Sequence, residues 1–61
     1  MQLIRFTKSD GLDVFINPLR VSAVLSDTVF SRTVIWIGSE DDYIEVKEPL
    51  IEVVTKLRES K

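Results

Sequence analysis

Thr33 to Glu59 reads TVIWIGSEDDYIEVKEPLIEVVTKLRE, a pattern that predicts a hairpin running straight into one amphipathic helix. Val34, Ile35, Trp36 and Ile37 form a β-branched and aromatic run, the composition of a strand. Gly38 to Asp42 is a polar turn without an apolar side chain. Tyr43 to Lys47 then alternates, with Ile44 and Val46 on one face and Tyr43, Glu45 and Lys47 on the other. Pro49 opens the expected helix, about 49–59, because its missing N–H costs nothing in the first turn. Leu50, Val53, Val54 and Leu57 recur at helical spacing and form one apolar stripe. Glu48 sits beside the positive end of the helix dipole, while Lys56, Arg58 and Lys61 load the negative end.

The preceding residues supply further strands. Gln2 to Thr7 reads as the first, and Lys8-Ser9-Asp10-Gly11 as a hairpin turn, since Asp-Gly tolerates positive φ. Leu12, Val14 and Ile16 alternate with Asp13, Phe15 and Asn17 in a second strand, which Asn17-Pro18 breaks. In the third strand Val21, Ala23 and Leu25 are expected to face inward, with Ser22, Val24 and Ser26 opposite. Asp27-Thr28 turns the chain; Val29 to Arg32 extends a strand, bulges or loops. The expected fold is therefore α+β: an antiparallel meander of four to five strands followed by one C-terminal helix. The expected core is Leu3 or Ile4, Phe6, Val14 or Phe15, Ile16, Val21, Ala23, Ile35, Ile37, Ile44, Val46, Leu50, Val54 and Leu57.

Sixty-one residues make one domain, 1–61. A chain this short buries only about 60% of the surface its unfolded form exposes and needs reinforcement. With no Cys and no His, disulfides and the usual zinc ligands are absent, which leaves oligomerisation. Lack of Cys fits a reducing compartment. No apolar run approaches the ~18 residues of a membrane span, and the first residues lack the basic leader and long apolar core of a signal peptide. A cytoplasmic protein without membrane insertion is expected.

A single helix covers one sheet face, so the other face should be polar. Phe15, Val24 and one set from Val34/Trp36 or Ile35/Ile37 are expected to point away from whichever face the helix covers, and Phe15, Val24, Val34 and Trp36 are the candidate interface. Either this patch meets a second copy or a protein partner, or the sheet curls into a small barrel that buries it.

Catalytic chemistry finds little to work with. The Ser-His-Asp and Cys-His arrangements require residues the chain lacks. The carboxylates of Glu40, Asp41 and Asp42 fall in a turn, where solvation explains them better than a dry acid–base pocket. Gly11 and Gly38 are far apart and form no phosphate-cradling loop. No enzyme, cofactor or metal site is expected. Arg5, Lys8, Arg20 and Arg32 are the candidate nucleic-acid contacts, with Phe15 or Trp36 as a stacking platform. Eight basic against ten acidic residues, a net charge of −2, make nucleic acid a poor partner for the whole chain.

Two resemblances add to this reading. VFINPLRVSAV at Val14 to Val24, TVIWIG at Thr33 to Gly38 and YIEVKEPLIEVV at Tyr43 to Val54 resemble the small bacterial motility proteins of the FlbD (also SwrD) type. Asn17-Pro18 and Val46-Lys47-Glu48 are the most pointed residues of that likeness. It implies a cytosolic accessory factor for flagellar motor function that acts by contact rather than catalysis; with the oligomerisation expected from the chain's size, the reading is a non-enzymatic protein-interaction module acting as a homo-oligomer. IWIG at Ile35 to Gly38 and IEVKE at Ile44 to Glu48 resemble segments of the CsrA (RsmA) post-transcriptional regulators, strand-exchanged dimers that bind GGA-containing RNA. Lys47 or Glu48 stands where that family places its RNA-contacting Arg, and its Gly-Glu-Ser near the first turn is missing. The third reading is an orphan or phage-type small protein sharing only this order of strands and helix.

Overall fold

The computed structural model describes residues 2–59. Lys61, assigned above to the basic helix end, lies outside them. Among the described residues, five strands and one helix follow in the order β1 (Ile4–Thr7), β2 (Asp13–Ile16), a 3-10 turn (Pro18–Arg20), β3 (Val21–Asp27), β4 (Arg32–Ile37), β5 (Tyr43–Val46) and α1 (Leu50–Glu59). The α+β class and the C-terminal helix are as the pattern predicts. The meander divides into two antiparallel sheets, β1-β2 and β3-β4-β5. The sheets meet where the end of β1 touches β5. Lys8 bridges to Val46, Ser9 N–H donates to the Glu45 carbonyl (3.0 Å), and Lys47 N–H donates to the Thr7 carbonyl (2.8 Å).

Local chemistry accounts for the turns. In the first hairpin Gly11 adopts φ +94°, a region closed to most side chains, while Asp10 accepts the Leu12 N–H. Asn17 accepts the Leu19 N–H and caps the short 3-10 turn that Pro18 opens, so β2 ends there. Asp27 Oδ1 accepts the N–H groups of Val29 and Phe30, which closes the four-residue loop Thr28 to Ser31. Val29 to Ser31 is thus loop, and only Arg32 joins the strand. Gly38, at φ +88°, begins the turn into β5.

Both sheets and the helix face one core. Phe6, Ile16, Ile35, Val46 and Val53 are fully or almost fully buried in it, and Ile4, Val14, Val21, Val24, Ile37, Ile44 and Leu57 pack against them. Val53 is the deepest helical side chain; burying a valine contributes about 1.5–3 kcal/mol. Thr33, a buried polar residue, donates its hydroxyl to the Glu48 carbonyl at 2.7 Å, tying β4 to the entry of α1. Pro49 lies just before the helix and its carbonyl accepts the first helical hydrogen bond, from Val53.

The third strand corrects the expected inside-out assignment. Val21 pairs with Ile37 and Ala23 with Trp36, so Ser22 is an extra residue, a β-bulge. A bulge shifts the two-residue alternation by one position. Val21 and Val24 therefore both reach the core, whereas Ala23 and Leu25, expected inside, are exposed. Of Leu3 and Ile4 it is Ile4 that packs against the core, while Leu3 and Leu12 fall outside the regular strands and are more than half exposed.

Candidate interaction surface

The register of the larger sheet fixes which side chains share its outer face. Leu25 opposes Val34, which opposes Glu45; Ala23 opposes Trp36, which opposes Tyr43; Asp27 opposes Arg32. Residues directly opposite in antiparallel strands point to the same side. The outer face is thus Ala23, Leu25 and Asp27 on β3, Arg32, Val34 and Trp36 on β4, and Tyr43 and Glu45 on β5. The helix and the smaller sheet lie against the opposite face, where Ile35 and Val46 are buried.

At one end of this surface Trp36 is held in place rather than loose. Its indole N–H donates to the Glu40 carbonyl at 3.1 Å, and its ring lies 6.1 Å from that of Tyr43, tilted by 47°. Beside it Ser22, Ala23, Trp36, Gly38 and Glu40 line an open hollow of about 340 Å³. At the other end Arg32 pairs with both Asp27 (3.0 Å) and Glu45, and its guanidinium sits 4.9 Å from the Phe30 ring centroid. Such partly exposed pairs contribute about 1 kcal/mol or less each, but they fix the arginine's direction. Between the two ends lies Val34, only 6% exposed although it stands apart from the core cluster.

The four candidate interface residues do not form one patch. Val34 and Trp36 share the outer face as expected, but Val34 is covered by its neighbours. Val24 is corrected to the core side by the bulge. Phe15 is 59% exposed, yet it lies on β2, opposite Arg5 in the smaller sheet. Leu25 and Tyr43, each just over half exposed, are the surface residues that sequence reasoning missed. The alternation of Tyr43 to Lys47 placed Tyr43 opposite Ile44, but only the register set by the Gly38–Asp42 turn puts it against Trp36.

The candidate nucleic-acid contacts are also dispersed. Arg5 pairs with Asp13 (2.9 Å), Lys8 lies 3.7 Å from Asp10, and Arg32 is held as described. Arg20 is exposed, with no ion pair among the described residues. Three of the four cations thus meet a carboxylate within their own hairpin or sheet, which weakens the potential they present to phosphate. Glu40, Asp41 and Asp42 are exposed in their turn, where Asp42 accepts the Ser39 hydroxyl. Among the described residues no group of three His, Cys, Asp or Glu is placed to hold a metal ion, and no helix is long and apolar enough to cross a membrane.

In comparisons with known proteins, no family model matches the chain, and no curated protein or solved structure matches it.

Proposed function

We propose that the protein is a non-enzymatic protein-interaction module that works in the cytoplasm as a homo-oligomer. The observation that carries this reading is the outer face of the three-stranded sheet. There Ala23, Leu25, Trp36 and Tyr43 form an apolar and aromatic strip on the side away from the helix. An aromatic anchor held by its own hydrogen bond loses little entropy on docking. A second copy is the favoured partner, because a domain with so few fully buried side chains gains most from added apolar cover.

Its most specific form is an accessory factor for bacterial flagellar motility. That form rests on the resemblance of residues 14–24, 33–38 and 43–54. Disrupting the gene in its own host tests it: lost swimming with intact filaments supports it, and normal swimming refutes it.

Size-exclusion chromatography with light scattering, at low and high salt, tests the module itself. The expected result is a dimer or larger species at both salt concentrations, since apolar contacts are not screened. Trp36→Ala should stay folded and dissociate at least about tenfold more readily, about 1.4 kcal/mol. Phe15→Ala, on the other sheet, should change nothing. A monomer at high concentration would overturn the reading.

A further inference from the structure

We propose that two copies associate by pairing their β3 strands edge to edge, antiparallel about a two-fold axis at Val24, so that two three-stranded sheets become one of six. This rests on the self-association proposed above and names its seam: Leu25 of the second copy comes opposite Ala23, whose neighbour on β4 is Trp36, so the outer strips of the two copies join into one with Trp36 reaching over the small Ala23. β3 is the longest strand, seven residues, and it closes one side of its sheet with β4 as its neighbour. An edge of this kind offers unpaired N–H and C=O groups to another strand. Proteins normally guard such edges with Pro, Lys or brevity, and β3 carries no Pro and no basic residue; its one charge, Asp27, stands at its last position. The remaining edges are short: β2 has four residues, begins with Asp13 and runs into Asn17-Pro18, and β1 and β5, four residues each, meet at Lys8 and Val46.

A second copy fits this edge because β3 is self-complementary. With the axis at Val24, Val24 faces Val24 of the second copy, and Ala23 faces its Leu25. Both Ala23 and Leu25 lie on the outer face and Val24 on the inner face, so each sheet face continues unbroken across the seam. Centring the pair one half-step away would oppose Ala23 to Val24, mixing inner with outer residues. The Ser22 bulge limits the ladder to the stretch from Ser22 to Ser26 and explains why the first residues of β3 stay out of it. The strand ends are electrically complementary. In this register Asp27 of the second copy falls level with Val21, just past the end of the ladder, and exposed Arg20, one residue before Val21, lies diagonal to that carboxylate, which already holds Arg32, Val29 N–H and Phe30 N–H. These use three of the roughly four acceptor positions of a carboxylate.

The natural chain has no Cys, so paired thiols report the seam without background. Ala23→Cys and Leu25→Cys are prepared separately, checked for folding by circular dichroism, then oxidised with diamide alone and as a mixture. Opposed residues on antiparallel strands have Cα atoms about 4.5–5.5 Å apart, within disulfide reach. The mixture should give a cross-linked dimer about tenfold faster than either variant alone, because only the 23-to-25 pair is in direct opposition. Light scattering on the unmodified chain runs in parallel. A dimer there, with no cross-link in the mixture, overturns the β3 seam and leaves self-association standing. Cross-linking of Leu25→Cys with itself overturns the axis at Val24, and a monomeric unmodified chain overturns both the seam and the reading beneath it.

Discussion

The backbone N–H of Thr7 donates to both carboxylate oxygens of Glu48, at 3.0 and 2.9 Å, across forty-one positions of sequence. This bond joins the last residue of β1 to the segment between β5 and α1. Glu48 also offers its carbonyl to the Thr33 hydroxyl, so one residue anchors the smaller sheet, the larger sheet and the start of the helix. A charge-assisted bond at a partly buried site contributes about 1.5–3 kcal/mol.

Glu48→Ala should therefore lower unfolding stability by about 1.5–3 kcal/mol, read from urea denaturation. Glu48→Gln keeps an acceptor for Thr7 and should lose less. Equal losses in the two variants would mean the bond to Thr7 contributes nothing specific to the carboxylate.

Val53 and Val54 are adjacent in the helix but differ in depth: Val53 is fully buried and Val54 partly so. Val53→Ala should lower stability by about 2–3 kcal/mol, through lost burial and the cavity left behind. Val54→Ala should cost about half as much or less, by the same area argument. Reversal of that order in thermal or urea melts would place the helix in a different rotation.

Ser31 closes the β3–β4 loop with φ +52°, in the left-handed region. That conformation costs a non-glycine residue about 1–2 kcal/mol, partly offset in glycine by its greater freedom when unfolded. Ser31→Gly should raise stability by about 0.5–1 kcal/mol. Ser31→Val, with its branched side chain, should lower it. Melting curves of the pair read both effects.

The Leu12 N–H bonded to Asp10 holds the Asp10 carboxyl below the ordinary aspartate value of 3.8; desolvation opposes this, and the charge of Lys8 adds to the lowering. A carboxyl whose folded value is depressed stabilises the fold above its unfolded value, and that contribution is lost as pH falls through the folded value. Asp10→Asn should therefore be less stable than the natural chain at pH 7. The difference should close below about pH 4, as Asp10 itself becomes protonated. A stability gap that persists unchanged at low pH would show that ionisation of Asp10 has no part in it.

Much of this architecture was legible from residues three to five apart. Asp10-Gly11 and Asn17-Pro18 mark a turn and a strand end by backbone preference alone, and they do so in the structure. The stripe of Leu50, Val53, Val54 and Leu57 follows from helical spacing, and the alternation at Ile44 and Val46 follows from the pleat. The candidate surface was legible only in part. Trp36 was visible as an apolar residue without a need in a one-sided sheet, but its partners Tyr43, Ala23 and Leu25 were not.

Local pattern by itself determined the α+β class, the hairpins, the helix and its apolar stripe, because dihedral preference and side-chain period act over a few residues. Tertiary structure alone decided which side of β3 faces the core. Ser22 bulges where Val21 pairs with Ile37 and Ala23 with Trp36, and that choice lies in long-range register rather than in the letters of β3. It also decided that the strands divide into two sheets joined by Lys8 and Val46, and that Glu48 reaches back to Thr7. Those contacts form between residues far apart in the chain, so their energies appear only when the whole core has closed around Phe6 and Ile35.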